Sequence, residues 1–143
     1  MRAVLLDTGP IVGLLHKGDV HHETAIDAIT ASVHQGRALA TTWEIVGEAF
    51  TLIRTRIAGH RRSSQAMTVL QWVEESGVKV IQSAEPDQLR AIEVLRSHPD
   101  IRISYVDALI LAIAERMGME EIQTVDGHLA GVRLERAIVV TVV

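Results

Sequence analysis

The sequence predicts a three-layer α/β/α domain on a central, mainly parallel five-stranded sheet, and two observations predict it. Short β-branched runs alternate with longer stretches of helical period, the alternation typical of a parallel α/β sheet. No repeat, low-complexity tract or linker interrupts the 143 residues, a length that suits one core and a single domain, 1–143. The strand runs are AVLL at 3–6, ALATT at 38–42, VKVI at 78–81, IQTV at 122–125 and IVVTV at 138–142. Between them, Ala25, Ile26, Ile29 and Val33 recur on one helix face before Gly36, and Met67, Leu70 and Val73 do so before Gly77. A further helix around Leu89, Ile92 and Leu95 ends before Pro99, and SYVDALILAIAERMG reads as a helix apolar almost all round, hence buried.

Composition removes several classes of function. Apolar residues at 48% and charged residues at 22% describe a chain that folds, not a disordered or fibrous one. The net charge of −4 advertises no polyanion binder, so a nucleic-acid partner needs a local basic patch. With no cysteine there is no disulfide, thiolate metal site or cysteine nucleophile, which suits a reducing cytoplasm, where we expect the protein to act. The longest strictly apolar run, Ala108 to Ala114, is far short of the roughly 20 residues of a membrane span, so no membrane partner is expected. Only Trp43, Phe50, Trp72 and Tyr105 are aromatic, too few for a base-stacking platform.

In parallel sheets ligands bind outside the carboxyl ends of the strands, which directs attention to acids placed there. Asp7 closes AVLL and leads through Thr8-Gly9-Pro10 into a helix, so a turn or capping role and a functional role are both open to it. Thr41 and Glu44 have capping-box spacing, which gives Glu44 a structural task. Glu48 has none so easily assigned. It lies about 40° from Leu52, at the edge of the stripe formed by Ile45, Ala49, Leu52 and Ile53, and a carboxylate there is expected to be partly desolvated. Asp107 shares a face with Ile110, Leu111 and Ala114, and with Ser104 it also forms a capping-box pattern. Asp126 begins Asp-Gly-His after a strand, where a turn role is the simpler account.

Three of these acids share a logic: Asp7 and Asp126 end strands, and Asp107 opens the helix that leads into the second of them. Carboxylates gathered in one cleft repel, and burial raises their pKa values unless a divalent cation compensates. An all-oxygen, sulfur-free set suits Mg²⁺ or Mn²⁺, ions commonly shared with substrate phosphates, and the chemistry this implies is metal-assisted phosphodiester hydrolysis.

In these motifs the chain resembles the PIN-domain nucleases, in particular the VapC-type toxins of toxin–antitoxin pairs. The resemblance rests on Asp7 in VLLDTGPIVGLL, Glu48 in WEIVGEAFTLIRTR, Asp107 in SYVDALILAIAER and Asp126 in IQTVDGHL, from residue 2 to about residue 130. It implies a Mg²⁺- or Mn²⁺-dependent endoribonuclease in which these four acids hold metal and carry catalysis. It also implies a homodimer restrained by an antitoxin, and products with a 5′-phosphate and a 3′-hydroxyl. Thr8, Ser104 and Thr124 fall where that family tends to carry small hydroxyl residues, and take supporting roles. The stretch with Arg54, Arg56, His60, Arg61 and Arg62 is basic, and reads either as a track for RNA phosphates or as a solvated face.

Three rivals remain. Seven histidines invite a metal-free acid–base mechanism, but they are scattered and only His21 and His22 are adjacent. His128, two residues beyond Asp126, is placed to hydrogen-bond that acid or touch a phosphate. An aspartyl-nucleophile phosphatase would want an acid where Gly9 stands. The alternative from another class is a non-catalytic RNA- or partner-binding module that keeps the fold.

Overall fold

A computed structural model describes residues 2–56 and 62–143, Arg62 by its backbone alone. Its five strands are β1 (Ala3–Leu6), β2 (Ala38–Thr42), β3 (Lys79–Ile81), β4 (Glu121–Thr124) and β5 (Val139–Val142). The helices are α1 (Thr8–Leu15), α2 (His22–His34), α3 (Trp43–Arg56), α4 (Arg62–Glu75), α5 (Glu85–Ser97) and α6 (Tyr105–Met117), with a 3₁₀ turn at Gly127–Gly131. The sheet order is β3-β2-β1-β4-β5, and every pairing is parallel. The result is the three-layer α/β/α arrangement expected from the alternation of elements.

Strand order runs outward from β1 to β3 and then restarts on the other side with β4. The crevice at that reversal opens outside the carboxyl ends of β1 and β4. β1 is buried along its whole length, as an apolar run covered on both faces should be. β4 is equally buried although it reads EIQT and starts one residue earlier than the apolar run. Glu121 is admitted because Arg37 reaches it at 2.5 Å, and Gln123 because its amide donates to Ser32 Oγ at 3.0 Å.

Helix ends fall where expected: Gly36 and Gly77, with φ of 72° and 76°, take the left-handed conformation that closes the chain after α2 and α4. Helix faces are another matter. On α2 the buried residues are Ala25, Ile29 and Ser32, while Val33 is exposed. On α4 Ala66 and Val69 are buried and Met67 is exposed. On α5 the buried face is Asp87, Ala91 and Val94, leaving Leu89 and Ile92 exposed. On α2 the predicted Ala25 and Ile29 are buried and only Val33 gives way, to Ser32, whereas on α4 and α5 the buried faces lie one position from those predicted by the large side chains. Alanines allow close packing, and Asp87 tolerates burial because Arg116 clasps it with bonds of 2.7 and 2.9 Å and Ala84 N donates to it at 2.8 Å. Among the described residues no helix is long and apolar enough to cross a membrane.

Gly9 draws the turn after β1 against the segment after β4, for a Cβ there would overlap the Val125 side chain. Gly47, in α3, has nothing near its missing Cβ and no positive φ. Both glycines are helical, yet Gly9→Ala should destabilise the protein by about 1–3 kcal/mol through overpacking, while Gly47→Ala should stabilise it by about 0.5–1 kcal/mol. Urea midpoints of the two variants check the opposite signs.

An acidic cleft at the strand-order reversal

Asp7 follows β1 directly, its backbone N–H continuing the ladder to Gln123 O at 2.9 Å. The side chain caps α1, with Oδ1 accepting from Thr8 N at 2.8 Å, while Oδ2 accepts from Thr124 Oγ1 at 2.8 Å. Thr124 in turn accepts from Asp126 N at 3.0 Å, so its hydroxyl links the end of β4 to the acid ending β1. Neither of these partners of Asp7 carries a charge, and the residue is only 7% exposed. Burial pushes its carboxyl up from 3.8 to about 6. The Thr8 and Thr124 bonds oppose the rise, and the negative charges of Asp107 and Glu48 add to it.

Glu48 and Asp107 border the same cleft, of about 790 Å³, together with Thr8, Gly9, Val12 and Val125. Glu48 Oε2 accepts from Thr8 Oγ1 at 2.7 Å, which ties α3 to the start of α1. Contrary to the expected partial desolvation, Glu48 is exposed: Ile45, Val46, Ala49 and Ile53 carry the buried stripe, and Gly47 and Glu48 form its open rim. Asp107 closes the capping box as expected. Its N–H donates to Ser104 Oγ at 3.0 Å, and its Oδ2 accepts from Ser104 N at 2.8 Å. It is half-buried, and Oδ1 takes no part in the box.

The predicted box at Thr41 and Glu44 does not form. Thr42 accepts from Ile45 N at 3.2 Å instead, one residue later, because Thr41 Oγ1 is engaged as a donor to Leu6 O at 3.0 Å. Glu44 Oε1 is buried without a hydrogen-bond partner.

Asp126 behaves as its sequence context suggested, capping the 3₁₀ turn. Its Oδ1 accepts from His128 N at 2.9 Å and lies 2.9 Å from His128 Nδ1. It does not line the cleft. Three of the four acids therefore share the cleft; Asp126 touches Thr124 by its backbone N–H alone, its carboxylate being turned to His128.

The remaining basic residues divide. Arg54 and Arg56 are both exposed on the last turn of α3, but two residues on a helix point roughly 200° apart, and only Arg56 lines the cleft. His60, Arg61 and the Arg62 side chain lie outside the described residues. Sequence reasoning passed over Asp19, in the loop between α1 and α2, which lines the cleft and pairs with Arg56 at 2.8 Å. Locally its side chain only accepts a turn bond from His21 N at 2.9 Å; the ion pair joins residues too far apart in the chain to be seen.

Among the described residues no three His, Cys, Asp or Glu side chains enclose a ready-made metal cage. A strongly hydrated hard ion does fit: the donors are all carboxylate, and Asp7 is a desolvated acid whose like-charged neighbours would all be relieved by one cation. Such ions take one or two carboxylates and keep their waters.

A parallel α/β domain with an acidic cleft at its strand-order reversal is the class the geometry defines. The chain belongs to the PIN domain family, whose profile matches residues 4–134. Nuclease activity is typical of that family, and its nucleases typically use a divalent metal. Its structural neighbours include VapC toxins of toxin–antitoxin systems. It is similar to Mycobacterium tuberculosis VapC20, a sarcin-ricin loop cleaving toxin, at 21% identity and a TM-score of 0.76, over 90% of this chain and 94% of that one. It is also similar to VapBC-5 of the same organism at 15% identity and a TM-score of 0.66, over 100% of both chains. DNA-bound VapBC from Salmonella typhimurium gives 13% identity and a TM-score of 0.66, over 98% of this chain and 97% of that one. At such identities the likeness is one of fold. No curated protein sequence gives a match.

The Asp7 shift sets a pH dependence. Below pH 3.8 the group is protonated in both states. Between there and about 6 the folded protein keeps a proton that the unfolded chain releases, so stability falls as pH rises through the folded value. A shift of this size corresponds to about 3 kcal/mol in metal-free protein. Asn preserves the cap, so the stability of wild type relative to Asp7→Asn should decline by up to that amount between pH 4 and pH 7, measured by urea unfolding in EDTA.

Proposed function

We propose that the protein is a Mg²⁺- or Mn²⁺-dependent endoribonuclease and the toxin of a type II toxin–antitoxin pair. The observation that carries this reading is the Asp7 carboxyl, buried against neutral donors and facing the charges of Glu48 and Asp107 across one cleft. Asp7, Glu48 and Asp107 would hold the ion directly, and the Asp126 carboxylate would reach it through waters. When bound, a divalent ion lowers the pKa of its water and neutralises charge on the phosphate oxygens.

The chain's own groups do the rest. Thr8 and Thr124 fix the carboxylates of Glu48 and Asp7, and Ser104 fixes that of Asp107, so that ligands need not reorganise when substrate arrives. Water attack leaves a 5′-phosphate and a 3′-hydroxyl. No histidine is required as general base, and three rings are already engaged: His22 with Gly13 O, His98 with Val94 O and Arg133 N, and His128 with Asp126.

The same reading brings in an antitoxin, whose arginine would meet the cleft carboxylates in charge-assisted bonds. It also brings in a twofold homodimer, for which the exposed Leu89 and Ile92 on α5 offer apolar surface. We place the protein in the cytoplasm, with RNA as substrate.

Incubation of the purified protein with RNA should give cleavage with Mg²⁺ or Mn²⁺ and none in EDTA, and Asp7→Asn should lower the rate by roughly two orders of magnitude or more. Full activity in EDTA with 2′,3′-cyclic phosphate ends would overturn the reading. Metal should also raise the melting temperature of wild type, by about 2.7 kcal/mol of added stability at a hundredfold excess over Kd, and less so in Asp7→Asn.

A further inference from the structure

The far end of the cleft is unlike the acidic end. Asp7, Asp19, Glu48 and Asp107 all line the cleft, and Arg56 is the one Lys or Arg among its described lining residues. It stands eight residues beyond Glu48 on α3, about 12 Å along the axis, with Thr51 and Leu52 on the cleft wall between them.

Its partner is set firmly. Asp19 Oδ1 accepts from His21 N at 2.9 Å and Oδ2 from Arg56 Nη1 at 2.8 Å. The loop backbone is fixed as well, with Asp19 N on His16 O and His22 N on Asp19 O, each at 3.0 Å. The Asp19 side chain is 6% exposed, whereas that of Arg56 is 48% exposed. One end of the pair is anchored in the wall, and the other stands half in solvent with most of its five N–H donors free of Asp19. A half-exposed pair of this kind adds little stability, so its value lies in where it puts the guanidinium.

We propose that Asp19 is a positioning residue that aims Arg56 across the far end of the cleft, to grip the phosphate of a nucleotide neighbouring the scissile link. With its guanidinium held on Asp19, eight residues along the helix from Glu48, Arg56 suits the next stretch of backbone and not the phosphate held at the acidic end. In a cleft that carries four carboxylates, a directed cation fixes the path and register of the strand. The inference rests on the ribonuclease reading and adds to it the means by which this cleft admits a polyanion.

The test sets two signs against each other. Asp19→Asn keeps an acceptor for His21 N and removes one negative charge from the cleft. If only the sum of charge mattered, RNA would bind more tightly; if Asp19 acts by aiming Arg56, RNA binds more weakly. Binding of a fluorescently labelled single-stranded RNA is followed by anisotropy in EDTA, so that cleavage does not intervene. Arg56→Ala should weaken binding roughly fivefold and reduce the salt slope by about 0.7, and Arg56→Lys should restore the slope but not the full affinity. Asp19→Asn should weaken it roughly threefold, with no further loss when combined with Arg56→Ala. With metal restored, both variants should raise KM with kcat little changed, as expected of a contact away from the reacting atoms. Melting temperatures establish that each variant is folded; Arg56→Ala, at a half-exposed site, keeps the test available if Asp19→Asn is not. Wild-type binding with tighter or unchanged affinity in Asp19→Asn, or with unchanged affinity in Arg56→Ala, overturns this inference alone. A wild type that binds no RNA and cleaves none with metal overturns the ribonuclease reading with it.

Discussion

The Asp7 carboxylate sits where the strand order of the sheet reverses, and much of the cleft depends on how it is held. Its two oxygens accept from Thr8 N and Thr124 Oγ1, one bond along the chain and one across to β4, so the acid joins the ends of the two central strands. These donors orient the group without neutralising it. Burial and the nearby charges of Glu48 and Asp107 then keep its pKa high, near 6. Gly9 is part of the same constraint, since any side chain there would force the β1 turn away from Val125 and open the junction. The fold thus brings like charges together, and their mutual repulsion is part of what raises the Asp7 pKa.

α3 gives the cleft its length. One rigid helix carries Glu48 near its middle and Arg56 at its end, and its buried stripe of Ile45, Val46, Ala49 and Ile53 fixes both against the sheet. At the first position α1 meets it through Thr8, and at the second the loop before α2 meets it through Asp19. The acidic and cationic ends of the cleft are therefore held at a spacing set by helical rise, which side-chain motion can change only slightly.

The sheet was legible in the sequence because its strands are short β-branched runs and its helices stop at glycines such as Gly36 and Gly77. The helix faces were less legible. Counting large apolar side chains selects Met67, Leu89 and Ile92, which stand in solvent, and overlooks Ala66, Ala91 and Asp87, which are buried. A small residue packs closely and a clasped acid is neutralised, and neither property shows in a hydrophobic pattern. Of the four acids singled out, three border one cleft because their places at strand and helix ends follow from topology. Asp126 is drawn into its own turn, the competing account its Asp-Gly context favoured. The cap at Thr42 in place of Thr41 was hidden because the choice turns on Leu6 O, a carbonyl on another strand. Asp19 was invisible for a similar reason, its cation being supplied by a distant helix.

For Asp7, Asp107 and Asp126 the sequence set a structural role beside a functional one, as though the two competed. In the folded protein the structural role leaves part of each carboxylate unused. Asp7 caps α1, Asp107 closes a box with Ser104, and Asp126 caps a turn. An ionised carboxylate has about four lone-pair sites, so one or two bonds to backbone or hydroxyl donors leave acceptor capacity unused. Those bonds fix the side chains before any ligand arrives, which lowers the ordering entropy lost when it binds. Glu48 has no backbone donor of this kind, and it is the acid that Thr8 secures through a side chain. A bare cluster of mobile surface acids could be pulled around a cation, but would lose entropy in doing so. Here the capping bonds that start α1 and α6 have already fixed Asp7 and Asp107, so the same interactions that define the fold also set the positions of the cleft's carboxylates.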